Sequence, residues 1–179
     1  MNVMEAIQTR RSVRAYADRP VPEDVLRRIL AAARLAPSGN NRQPWRFVVV
    51  TEPDRRADLA AAARNQGFVA EAPVVIAGVG LTPDRSMSCG VPGDPVDVAI
   101  ALDHLSLAAV AEGLGTCWIG AFDQDRVRAL LGVPETAKVI ELMTLGYPAD
   151  RPREKPRHPF ETVVCRERFA GFETAGGRC

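Results

Sequence analysis

The sequence predicts a single domain in which helices are interspersed with short, deeply buried strands. Three observations carry that expectation. VVIAGVG, residues 74–80, is apolar without interruption, the pattern of a strand covered on both faces. PVDVAIALDHLSLAAVAEGLG, from Pro95, is a helix apolar nearly all round, which places it at the centre of the domain or shares it with a second subunit. The length of 179 residues suits one domain, which would bury ~70% of the surface its unfolded chain exposes.

Taken in order, the chain opens with a short helix over residues 2–9, with Val3, Ala6 and Ile7 on one face. RRSVR, Arg10 to Arg14, follows where that helix ends. Three guanidiniums and a hydroxyl within five residues suit a compact anion such as phosphate, and equally a solvated basic turn. A second helix begins at Pro22, with Glu23 and Asp24 in its first turn to complement the dipole. Val25, Leu26, Ile29, Leu30 and Ala33 form its buried stripe.

That helix leads to PSGNNRQPW, Pro37 to Trp45, the stretch around which the chain is organised. Pro37 ends the helix, because the residue before a proline is pushed out of the α region. Ser38, Gly39, Asn40 and Asn41 then offer a hydroxyl, open backbone and two carboxamides. A carboxamide donates and accepts at once, which suits the edge of a flat ring carrying N–H and C=O groups. The same residues also suit a capped turn that bonds its own backbone.

A strand at 46–50 comes next, then a helix in PDRRADLAAAARNQG stopped by Gly67. FVAEAP leads into the 74–80 strand. Residues 81–95, LTPDRSMSCGVPGDP, read as a mobile loop or lid, after which Asp94 and Pro95 restart a helix as cap and first residue. GLGTCWIGAF, Gly113 to Phe122, is a helix stop followed by a short strand and Gly120-Ala121. DQDRVRALLG is a short helix capped by Asp123, and KVIELMTLGYP, Lys138 to Pro148, is the last strand. Residues 150–179 form a polar, Pro-broken arm, β-prone around Thr162 to Cys165, that would wrap a partner subunit.

Composition excludes several roles. A net charge of +1 gives no global pull toward nucleic acid or an anionic membrane. No apolar run approaches a membrane span, and MNVMEAIQTRR lacks a signal-peptide core. Cys89, Cys117, Cys165 and Cys179 are far apart, so metal-site spacing is absent and the expectation is reduced thiols in a cytoplasmic protein. Cys117 reads as a buried structural thiol with no basic residue near enough to activate it. His104 reads as a satisfied core or interface histidine. Gly78-x-Gly80 and Gly113-x-Gly115 lack the third glycine of a dinucleotide fingerprint, and no Walker, GxSxG or HExxH motif is present. An anion site and a ring-binding loop without a strong acid–base pair suit a protein whose cofactor carries the chemistry.

RRSVR, PSGNNRQPW, GLGTCWIG, LGYP and the late KPR, in that order over residues 10 to 157, together resemble the FMN-dependent nitroreductase family. The resemblance implies an α+β fold: a mixed central sheet flanked by helices, one domain over residues 1–179, in an intertwined homodimer with FMN at the interface. By position, Arg10 and Ser12 would hold the flavin phosphate with Arg11 beside them, and Lys155 and Arg157 would complete that site. Arg14 would lie toward the ribityl chain and pyrimidine ring. Pro37 and Ser38 of the other subunit would pack on the ring. Asn41 would bond its polar edge, and is preferred to Asn40 because it keeps the family's spacing to Gln43-Pro44-Trp45. Ile119, Gly120 and Ala121 would run beside the ring.

The implied activity is an NAD(P)H-dependent flavin oxidoreductase. NADH or NADPH would reduce flavin N5 in a ping-pong exchange, and a small electron-poor acceptor (nitroaromatic, quinone or enone) would reoxidise it, with no metal. The chain is short for that family, and the segment that usually shapes the substrate pocket is reduced to residues 81–95. Alternatives are a flavin-binding or storage protein without turnover, a cofactor-free structural dimer, and a reductive dehalogenase or oxygen-dependent relative.

Overall fold

The computed structural model describes residues 1–150 and 155–169. Four strands form one sheet in the order β1 (Trp45–Val50), β2 (Val74–Gly80), β4 (Lys138–Gly146), β3 (Gly115–Ile119). All three ladders are antiparallel. Parallel pairing, part of the mixed sheet expected above, is confined among the described residues to an isolated bridge between Ser12 and Thr116. β3 is therefore an edge strand whose outer side is covered by the N-terminal segment.

Helices cover both faces. On one, Ile76, Met143 and Leu145 pack against α2 (Glu23–Arg34) and α5 (Gly93–Ala111) through Ile29, Ala33, Val98, Leu102 and Leu105. On the other, Val75, Ala77 and Leu142 meet α3 (Pro53–Ala62), α4 (Phe68–Glu71) and α6 (Gln124–Leu131) through Leu59, Val69 and Val127. Every residue of β2 is buried, as its apolar run requires. α5 lies centrally, its apolar residues meeting the sheet and α2. α1 (Val3–Thr9) starts in a reciprocal capping box of Asn2 and Glu5, and Asp123 caps α6 as expected.

Several local expectations are corrected. Gly67 does not stop the helix that precedes it. α3 ends at Ala62, the chain turns through Arg64 and Asn65 at φ 57° each, and Gly67 at φ −54° opens α4. Pro22 stands just before α2 as its cap. α5 begins at Gly93, so Asp94 lies inside its first turn and bonds Thr82 instead of capping. Residues 93–95 accordingly belong to the helix, and the segment before it is a compact turn. Ser86 bridges Pro92, Met87 N–H donates to the Val91 carbonyl at 2.8 Å, and Gly93 N–H donates to the Arg85 carbonyl at 2.9 Å. The β-prone stretch near Thr162 is instead the single helical turn α7 (Phe160–Val163), opened by Pro159, whose carbonyl accepts from Thr162. Residues 151–154 and 170–179 of the arm lie outside the described residues.

Candidate functional site

α1 ends at Arg10, and the chain then runs extended along the edge of β3. Val13 N–H donates to the Thr116 carbonyl at 2.9 Å, and Ser12 bridges the same residue. Extended backbone alternates its side chains, so Val13 points into the core while Ser12 and Arg14 face out. Lys155 returns to this corner from the far end of the sequence. Its Nζ donates to the carbonyls of Arg10 at 3.1 Å and Ile7 at 3.3 Å. Arg11 donates to the carbonyls of Gln8 at 2.5 Å and Arg10 at 2.9 Å.

The electrostatics of Lys155 report its company. Burial is the largest influence lowering its pKa, followed by Arg10, Arg157 and Arg11, while Asp103 acts the other way. Among the described residues, no carboxylate pairs with Arg10, Arg11, Arg14, Lys155 or Arg157. Arg10, Arg11, Lys155 and Arg157, gathered without an ion-pair partner among the described residues, repel one another, and a multivalent anion relieves that repulsion. The corner thus fits a phosphate.

A second region adjoins the end of β3. The Arg14 guanidinium lies over the Phe68 ring, 5.9 Å from its centroid. Gly120 is exposed, whereas Ile119 is buried in the core, so its side chain is not presented to a ligand. Gln66 donates from its amide to the carbonyls of Ala63 at 2.9 Å and Ala121 at 3.4 Å. Gln66 and Phe68 escaped sequence reasoning, since nothing local in NQGF announces that the turn after α3 meets the chain beyond β3.

On the opposite side of Gly120, a Cβ would stand 3.5 Å from both carboxylate oxygens of Glu141, whose pKa is raised by burial. Cys117 requires a correction. Arg14 and Arg10 do pull its thiol pKa downward, but burial outweighs them and the net shift is upward. The thiol is buried and un-ionised, a structural role reached by a different balance. His104 is half-buried on α5 and has no hydrogen-bond partner among the described residues.

No hydrogen bond among the described residues joins PSGNN to the cationic corner. Ser38 Oγ accepts from Gln43 N–H at 2.9 Å, and the Gln43 amide donates to the Asn41 carbonyl at 3.1 Å. Asn40, Asn41 and Gln43 all take left-handed φ, between 52° and 55°. Asn tolerates that region better than most residues, which explains the paired asparagines. Pro37, Asn40 and Asn41 are exposed, while Gly39 N–H is held at 3.1 Å by the Asp97 carboxylate. A turn bonded within itself through Ser38 and Gln43 thus coexists with two exposed asparagines. Among the described residues no helix is long and apolar enough to cross a membrane.

The chain is similar to known proteins in sequence and in fold. A family model described as the Nitroreductase family matches residues 7–80 and 60–147. An NADH dehydrogenase from Thermus thermophilus is 36% identical, over 92% of this chain and 95% of that protein. The NADPH:FMN oxidoreductase of Vibrio harveyi, solved with NAD+, superposes with a TM-score of 0.87 at 30% identity, covering 96% of this chain and 79% of that one. A nitroreductase family protein from Clostridium difficile gives a TM-score of 0.85 at 31% identity, covering 94% and 100%.

Proposed function

The chain belongs to the nitroreductase family, and on that premise we propose that it is an FMN-dependent oxidoreductase drawing on NADH or NADPH to reduce a small, electron-poor acceptor. The observation that carries this reading is the corner of Arg10, Arg11, Lys155 and Arg157, cationic and without a carboxylate partner among the described residues. Arg10 and Ser12 would bind the flavin phosphate, with Arg11, Lys155 and Arg157 around it. Arg14, steered by Phe68, would place positive charge toward the pyrimidine ring. Exposed Gly120, with the backbone of Ile119 and Ala121, leaves the approach to the ring clear of side chains.

Pro37, Ser38 and Asn41 would serve the site of a second subunit, as the family resemblance implies, and Pro37 and Asn41 are exposed and open to such a partner. Exposed Val3, Met4 and Ile7 of α1 and Phe160 and Val163 of α7 give the apolar surface such a homodimer would cover. When bound, the flavin would take hydride from the nicotinamide and pass electrons to a nitroaromatic, quinone or enone acceptor. The chain's part is to hold the cofactor, orient it and leave one face for both substrates in turn. The 82–92 turn would act as a lid over that face, and a reducing cytoplasmic setting suits the exposed thiol of Cys89.

The purified protein should be yellow and dimeric with one FMN per subunit. NADH or NADPH should bleach it without acceptor, and steady-state plots against both substrates should be parallel. A colourless monomer that ignores added FMN refutes the reading. Intersecting plots refute the shared face.

A further inference from the structure

Asp97, on the first turns of α5, divides its carboxylate between two distant segments. One oxygen accepts from Gly39 N–H at 3.1 Å, and the other accepts from the Arg85 guanidinium at 2.6 Å. Gly39 belongs to the exposed Pro37–Asn41 loop, and Arg85 stands at the base of the 82–92 turn. Asp97 is 5% exposed, so losing either contact would leave a buried carboxylate short of a partner.

The surroundings make this a built joint. Arg85 also lies 3.7 Å from Asp94, which is 1% exposed and holds Thr82 through both its backbone and its hydroxyl. A Cβ on Gly93 would fall 2.3 Å from the Arg85 guanidinium, so glycine there admits the arginine. Gly39 faces the same group, its Cβ position 3.6 Å from Arg85. Meanwhile Asn40, Asn41 and Gln43 hold left-handed backbone, which persists where the surroundings over-determine it. The grip of Asp97 on Gly39 is one such determinant.

We propose that Asp97 is a positioning residue that locks the ring-binding loop to the 82–92 turn through Arg85, coupling the pose of the turn to flavin-ring affinity. The inference rests on the flavin reading above. Coupling of this kind is reciprocal: whatever displaces the turn weakens the ring site, and an occupied ring site steadies the turn. Cys89, exposed at the tip of the turn, reports on it.

The test measures riboflavin affinity, which isolates the ring site from the phosphate corner. It also measures the alkylation rate of Cys89 by peptide mass spectrometry, with and without saturating riboflavin. In the wild type, riboflavin should slow Cys89 alkylation by about fivefold, the low end of ordinary coupling. Asp97→Asn keeps an acceptor for Gly39 but drops the charge that holds Arg85. It should weaken riboflavin by about tenfold, the loss expected for a hydrogen bond to a charged group, and abolish the protection of Cys89. Arg85→Lys, which keeps the charge, should retain part of both effects. Wild-type binding without protection of Cys89, or undiminished affinity and protection in Asp97→Asn, overturns the coupling alone. A wild type that binds no flavin overturns it together with the reading beneath it.

Discussion

Val13 packs directly on Gly115: a Cβ on that glycine would fall 2.3 Å from Val13 Cγ2 and 3.1 Å from Pro148 Cγ. This contact seats the RRSVR segment on the edge of β3. Gly115→Ala should therefore cost about 1–3 kcal/mol by overpacking and also weaken FMN by displacing Ser12 and Arg14. Adding Val13→Ala removes Cγ2 but leaves Val13 Cβ 2.9 Å from the new methyl, so it should recover only part of both losses. Thermal melts and FMN titrations of the single and double variants check this, and a destabilised Gly115→Ala with full FMN affinity would separate the contact from the site.

Tyr16 ties the same segment to the sheet. Its hydroxyl donates to the Val13 carbonyl at 2.8 Å and shares a 2.6 Å hydrogen bond with Thr144. Burial pushes its pKa well above the ordinary phenol value, against the opposing effect of Thr144. The fold favours the neutral phenol, so this stability is present below about pH 10, where the unfolded side chain is also neutral, and is lost as pH rises beyond it. Tyr16→Phe should lower stability at pH 7 by about 1–3 kcal/mol and flatten the alkaline decline. Urea melts from pH 7 to 11 measure both.

Glu141 shows the same sign on an acid. Burial raises its pKa, so the folded state favours the protonated carboxyl, and stability falls as pH climbs from the ordinary carboxylate range through the raised value. Glu141→Gln should be more stable than wild type at pH 7, with the advantage gone below about pH 4. Melts at the two pH values that show the same difference would place its cause elsewhere.

The strands and helix α5 were legible because each is written locally, in an apolar run or a period. Asp94 and Asp97 were not, because burial of a carboxylate depends on partners 12 to 58 residues away. Gly67 misled for a similar reason: glycine marks a break in a helix, but Arg64 and Asn65 had already made the turn. The meeting of Lys155 with Arg10 is a contact across 145 residues. It was expected only because the late KPR motif resembled a family, and no spacing rule would have revealed it.

Lys155 has a lowered pKa, so it loses its charge at lower pH than an ordinary lysine. The folded state disfavours the protonated amine, and its contribution to stability rises with pH through that window while its hold on phosphate declines. FMN affinity should fall with alkaline pH, riboflavin affinity should not, and Lys155→Arg should remove the difference. Titrations of both ligands from pH 7 to 10.5 decide it.

FMN and riboflavin differ only in the phosphate, so their affinities for Arg10→Ala and Arg157→Ala isolate the cationic corner. Each substitution should weaken FMN by about tenfold or more, from a charge-assisted contact of roughly 1.5–3 kcal/mol, and leave riboflavin nearly unchanged. Equal weakening of both ligands, or of neither, would contradict the assignment of this corner to the flavin phosphate.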